Sequence, residues 1–180
     1  MELISVKFIF IGLFLGLAVG GGWTALRYII SSRLRVSGDL PEMFELPVVG
    51  CISGEEKRAK WFQRPYDAYT NQQQIELIAA NVGVLMEQQE KRSVFLTGDS
   101  STDRCLTMTN TIAECLRKKG LDCKIGTSIA YDVTSVAVVP NVDAVILVEQ
   151  IDVSRYEMIG REKELCERCG VPVLGGIVLE

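Results

Sequence analysis

Hydrophobic positions along this chain form two kinds of pattern, an unbroken run and a set of periodic segments. The run comes first: Phe8 to Leu26 is 19 residues without a charge. At 1.5 Å per residue a helix of that length reaches about 28 Å, close to the roughly 30 Å hydrocarbon core of a bilayer. Ile4 to Val6 extend it, with Lys7 placed to snorkel outward. The run predicts a transmembrane helix over 8–26 and a short extracytoplasmic N-terminus over 1–7. Arg27, Arg33 and Arg35 follow before the first acid at Asp39, whereas Glu2 partly offsets Lys7 on the other side. That asymmetry predicts a plasma or inner membrane protein with one span and a cytoplasmic C-terminal side. A cleaved signal peptide would use the small residues Ala18 and Gly20 to Gly22, but would carry its positive charge before the run.

Residues 27–70 read as a juxtamembrane segment and linker. Arg27 to Arg35 should continue the helix into the headgroups. Asp39 and Glu42 have capping-box spacing around Pro41, which predicts a short helix to about Glu45. Leu46 to Ile52 reads as an apolar turn, and 53–65 as a charged linker carrying Trp61 and Phe62 and ending at Pro65.

From 71 to 180 the pattern is that of one α/β domain. Ile75, Ile78, Ala79, Val82, Leu85 and Met86 recur at helical steps after Asn71, which has capping-box spacing to Gln74. Ser93 to Thr97 is a short buried strand. Leu106 to Leu116 carries a second helical stripe, closed by Lys118, Lys119 and Gly120. A strand near Cys123 to Ile125, a short helix near Thr134 to Val139 and a strong strand at Ala144 to Val148 come next. A charged amphipathic helix over Ser154 to Cys169 and a strand over Val171 to Leu179 complete the order. Glu162, Lys163, Glu164, Glu167 and Arg168 are expected to form its solvated face. Alternation of strand and helix predicts a small parallel sheet with helices on both faces.

Composition narrows the function. Of 180 residues 48% are hydrophobic, with mean hydropathy +0.21. The formal charge of −4 argues against a nucleic-acid partner, which needs a basic face. The basic cluster after the span is suited to anionic lipid headgroups. Six cysteines in no disulfide spacing fit a reducing compartment. Cys166 and Cys169 form a CxxC, yet with no histidine in the chain a four-ligand zinc site would need Cys115 and Cys123 as well. The expected arrangement is Cys166 packed inward and Cys169 near a helix end, with no metal. Gly12, Gly16 and Gly20 lie on one face of the span and suit close helix–helix approach, which predicts self-association.

In a parallel sheet, ligands bind beyond the C-terminal ends of the strands. The candidate is the loop after the Ser93 strand: Gly98, Asp99, Ser100, Ser101, Thr102, Asp103 and Arg104. It opens a helix, as a phosphate loop does. It lacks GxxxxGK[ST], and Arg104 and Cys105 stand where lysine and a hydroxyl residue belong. Asp99 and Asp103 add charge against phosphates. The plainer reading of the loop is a solvated turn with a helix cap at Thr102 or Asp103.

From membrane to C-terminus, several motifs come in one order. Asp39-Leu40 and Leu46-Pro-Val-Val-Gly50 are followed by the Thr97 to Asn110 stretch, then by Val142-Asp-Ala-Val-Ile-Leu-Val148 and Val173-Leu-Gly-Gly-Ile-Val-Leu179. That order resembles the C-terminal part of bacterial polysaccharide co-polymerases, or chain-length determinants, and of capsular tyrosine kinases. The resemblance covers most of 8–180 and implies a last transmembrane helix followed by a P-loop NTPase-like domain. The departures from that family are the missing P-loop lysine and, with Tyr156 the last tyrosine in this sequence, an expected lack of the tyrosine-rich tail. Asp132 is the only acid between Asp122 and Asp143, where the family's magnesium and catalytic aspartates lie. The family's first membrane helix and extracytoplasmic domain are also expected to be missing, as in a fragment, a degenerate product or a shortened accessory subunit.

The resemblance with these departures implies a non-catalytic membrane component of capsule, exopolysaccharide or lipopolysaccharide assembly. It would use no cofactor, with a pseudo-kinase domain that docks onto other assembly proteins. Two other readings are a weak nucleotide-binding switch or kinase-like enzyme using the loop amides and Arg104, and an unrelated membrane-tethered scaffold. Gly16→Leu is expected to weaken self-association in a membrane two-hybrid assay, and an unchanged signal would remove the glycine face from the account.

Overall fold

The computed structural model describes residues 12–24, 31–53, 70–99 and 101–180. The chain divides into two compact units, Met1–Ser32 and Arg33–Glu180. In the first, residues 12–24 form a helix, α1, exposed along its described length. A Cβ added at Gly12, Gly16 or Gly20 would meet nothing within 4 Å. The Thr24 hydroxyl donates back to the Gly20 carbonyl at 3.0 Å. The expected 8–26 span runs beyond the described residues at both ends. Among the described residues no helix is long and apolar enough to cross a membrane.

The second unit is a five-stranded sheet in the order β1-β5-β4-β2-β3. Its strands are β1 (Val48–Ile52), β2 (Ser93–Gly98), β3 (Asp122–Ile125), β4 (Ala144–Gln150) and β5 (Val173–Leu179). Every pairing is parallel. The helices are α2 (Asp39–Phe44), α3 (Asn71–Gln88), α4 (Asp103–Lys118), α5 (Val133–Val138) and α6 (Tyr156–Arg168). A 3₁₀ turn, Val139–Asn141, follows α5.

Strand periodicity sends alternate side chains to opposite faces. From β2 and β4, Val94, Leu96, Ala144, Ile146 and Val148 enter a core shared with Ile78 and Val82 of α3 and Ile112 and Leu116 of α4. Phe95, Val145 and Leu147 enter a second core with Leu40 of α2 and Ile159 and Cys166 of α6. The sheet is therefore covered on both faces, as parallel sheets with helical crossovers require. Gly176 lets α2 approach, since a Cβ there would lie 2.5 Å from Leu40 Cδ1.

Local chemistry sets the ends. Asp143 collects the Arg92 N–H at 3.0 Å, the Ser93 N–H at 2.8 Å and the Ser93 hydroxyl at 2.8 Å, pinning the start of β2 beside β4. These bonds, led by the Arg92 N–H, hold the Asp143 carboxyl down to about 2. The capping box of α3 is formed by Thr70 and Gln73, one residue before the expected pair. The Gln73 N–H donates to Thr70 Oγ1 and the Thr70 N–H to Gln73 Oε1.

Three expectations about 27–70 are corrected. Residues 31–36 are not helical: Leu34 exchanges backbone bonds with Ser154 and Asp152 at 2.7 and 2.8 Å, and Arg33 donates to the Asp152 carbonyl at 2.7 Å. Asp39 starts α2 without a capping bond. Its carboxylate instead accepts the Val36 N–H at 3.1 Å and the Tyr156 hydroxyl at 2.6 Å. The Tyr156 bond is the main reason its carboxyl is held below the usual range, against partial burial. The apolar stretch near Leu46 is an edge strand rather than a turn, because Val48–Ile52 pairs with β5. Pro47 just ahead of it is tolerated because β1 pairs on one side only. Trp61 and Phe62 lie outside the described residues.

Phe95 is fully buried, so Phe95→Ala is expected to cost about 3–5 kcal/mol, read from the urea midpoint of unfolding. Leu77→Ala, on the outer side of α3 at 56% exposure, should stay within about 0.5 kcal/mol.

Candidate functional site

The expected loop does leave the C-terminal end of β2 and open a helix, α4. Its first residue is dictated by the neighbouring strand. Gly98 has φ +151°, and a Cβ there would sit 2.1 Å from the Val148 carbonyl oxygen of β4. Only glycine accepts both the dihedral and the approach. Asp99 then accepts the Ser101 N–H at 3.0 Å, a local turn. Ser100 lies outside the described residues.

Thr102 is the helix cap. Its hydroxyl accepts the Cys105 N–H at 3.1 Å and donates to Gln150 Oε1 at 2.6 Å, tying the loop to the end of β4. Asp103 is the first residue of α4 and is exposed; its carbonyl accepts the Thr107 hydroxyl at 2.8 Å. Arg104 turns toward the end of β5, where Nη1 donates to the Glu180 carbonyl oxygen at 2.6 Å. The loop's hydroxyl and its guanidinium are thus bonded to β4 and to Glu180.

The surrounding edge is acidic. Asp132 caps α5. It accepts the Thr127 hydroxyl at 2.6 Å, the Ser135 hydroxyl at 2.7 Å, and the Thr134 N–H and hydroxyl at 3.0 and 2.8 Å. Those bonds, led by Thr127, hold its carboxyl well below the usual carboxylate range. Thr97 of β2 donates to the Thr127 carbonyl at 2.6 Å and joins this cluster to the loop.

Two further acids were missed by sequence reasoning. Glu149, near the end of β4, is 2% exposed, and Glu162 of α6 is 1% exposed. The solvated reading of Glu162 is therefore corrected: it lies on the inner side of α6 with Ile159 and Cys166. The signal was present, since 159, 162 and 166 follow the i, i+3, i+7 step of a buried stripe. Glu164, Glu167 and Arg168 are exposed as expected, with Arg168 paired to Glu164, whereas Lys163 is half-buried and donates to the Phe44 carbonyl at 2.8 Å.

The cysteines offer no thiolate on this edge. Burial pushes the Cys105 and Cys123 thiols up to about 11 and Cys166 to about 12. Cys166 is buried and Cys169 exposed at the end of α6. Among the described residues no three His, Cys, Asp or Glu side chains are placed to hold a metal ion. A cleft of about 890 Å³, lined by Gly83, Glu87, Lys91, Arg92 and Lys119 among others, lies beside the N-terminal ends of β2 and β3.

The fold is similar to that of the BceF tyrosine kinase domain. The TM-score is 0.59 and the identity 10%, over 82% of this chain and 98% of that domain. The chimerical protein CapA2B2 aligns with a TM-score of 0.43 and 12% identity, over 80% of this chain and 98% of that one. No protein-family model and no curated protein sequence matches. The likeness to BceF is a likeness of fold. It shows that the expected resemblance to a kinase domain holds for the arrangement of strands and helices.

Thr102→Ala is expected to lower stability by about 1 kcal/mol through loss of the cap and its bond to Gln150, with Thr102→Ser restoring most of it in the same unfolding assay.

Proposed function

We propose that this chain is a non-catalytic, membrane-anchored component of polysaccharide assembly or export, in which a kinase-like domain serves as a docking or regulatory module. The observation that carries this reading is the state of the β2–α4 loop. A phosphate loop leaves backbone N–H groups, a lysine and a hydroxyl free for the nucleotide and its magnesium. Here Cys105 stands in place of that hydroxyl residue, the nearby Thr102 hydroxyl bonds to Gln150, and Arg104, in place of the lysine, bonds through Nη1 to the Glu180 carbonyl while its Nη2 is buried without a partner. Asp99, Asp103 and Asp132 crowd the same edge with negative charge, which opposes a triphosphate. Likeness of fold to a tyrosine kinase domain supports descent of the scaffold, and the motif order along the sequence supports the polysaccharide setting.

In this reading residues 8–26 span the plasma or inner membrane and the α/β domain faces the cytoplasm. Gly12, Gly16 and Gly20 mediate self-association of the span, and the domain meets other assembly proteins. The loop of Gly98 to Arg104 is a vestigial nucleotide site retained as structure.

Titration of the full chain with fluorescent ATP and magnesium tests the central statement. No saturable binding is expected up to millimolar nucleotide. Saturable micromolar binding that Arg104→Ala abolishes would replace the docking module with a nucleotide switch.

A further inference from the structure

The acid pair on β4 and α6 belongs to none of the chemistry above. Glu149 Oε1 and both carboxyl oxygens of Glu162 are buried without a hydrogen-bond partner. Isolated buried carboxylates are very costly, so such a pair must be neutralised by a proton or a cation. Several groups face it. Ser154 lies beside Glu149 and Ser128 beside Glu162, and Asp99 of the β2–α4 loop adds negative charge to both. Cys105 of α4 adjoins Glu149, and Cys166 adjoins Glu162 on α6 itself. Both thiols are pushed up by burial and stay neutral near pH 7. Arg104, the cation that acts on Cys105, bonds to the Glu180 carbonyl.

We propose that Glu149 and Glu162 are kept protonated by their burial together and act as a pH-governed latch that holds α6 against β4. With the protons in place both carboxyls are neutral and lie side by side next to the second core. As protons leave to solvent, buried negative charge builds up between the two and α6 loosens. The β2–α4 loop loosens with it, because Thr102 is bonded to Gln150, the residue after Glu149. The latch thus couples the loop edge to pH without a histidine, which this chain lacks.

Burial drives both carboxyls upward, Glu162 to about 7 and Glu149 well above its ordinary value. Below about 4.5 the folded and unfolded chains are both protonated at Glu162. Between there and about 7 only the fold keeps the proton, so stability falls as pH rises and levels off above.

The test uses the full chain in detergent micelles, with no nucleotide added. Carboxyl ¹³C NMR is followed from pH 4 to 9, and amide exchange is corrected for its intrinsic pH dependence. Glu162 is expected to titrate near pH 7, and Glu149 well above the ordinary glutamate range. Amide protection in α6 and in the 98–103 loop should fall on the order of a hundredfold between pH 5 and 8. Glu162→Gln and Glu149→Gln should each abolish that fall. Titration of every glutamate below pH 5.5 would overturn the proposal, as would protection that does not change with pH. Saturable binding of magnesium or calcium at pH 8 that restores protection would overturn it in favour of a cation site. If neither variant folds, the carboxyl titration of the unaltered chain decides alone. Nucleotide binding plays no part in these readouts, so they stand apart from the test of the β2–α4 loop.

Discussion

Burial of β4 on both faces is the constraint from which the rest of the domain follows. The first six of its residues, Ala144 to Glu149, are buried. A strand in that position cannot leave a face to water, so one helical layer must cover Ile146 and Val148 and another Val145 and Leu147. The α3–α4 layer does the first, and α2 with α6 does the second. The apolar contribution of a fully buried residue such as Leu147 is about 1.5–3 kcal/mol, and each of these strands supplies several. Polar links at the sheet ends then choose among registers. Asp143 fastens the start of β2 beside β4, and the Thr102–Gln150 bond fastens its exit.

The same constraint shapes the edge at the C-terminal end of β2. Gly98 has its positive φ because the Val148 carbonyl occupies the space of a side chain. Thr102 caps α4 and reaches to β4, while Arg104 reaches to Glu180. The Thr102 hydroxyl is bonded within the fold, whereas Arg104 is bonded only through Nη1 and its Nη2 is buried without a hydrogen-bond partner. Internal bonding is the ordinary fate of buried polar groups, and here it ties the β2–α4 loop to the end of β4 and to Glu180. Glu149 shows the cost of the arrangement. Continuing a buried strand by one residue carries a carboxyl into the core, where Glu162 meets it from α6.

Segment 33–52 links local and global order in a different way. Its short helix, its bonds to 152–155 and its strand on β5 all depend on partners more than a hundred residues away. Nothing within the segment demands them. Pro47 and Gly50 weaken its strand signal, and Asp39 had the spacing of a cap but is held by Tyr156. The acids divide along the same line. Asp132 is satisfied by Thr127, Thr134 and Ser135, all within five residues, and its capping role is local chemistry.

Local pattern was enough for the order of strands and helices from 71 to 180, their parallel arrangement, a cap at Thr102 or Asp103 and the absence of a P-loop lysine. These are properties of period and spacing, which act within one or two turns of chain. Folding in three dimensions was needed for the edge strand at Val48–Ile52, the direction of Arg104 and the burial of Glu162. Each of those depends on contact between segments distant in sequence. The buried acid pair is the sharpest case: the stripe of 159, 162 and 166 places Glu162 on the inner side of α6, but only the packed sheet sets Glu149 opposite it.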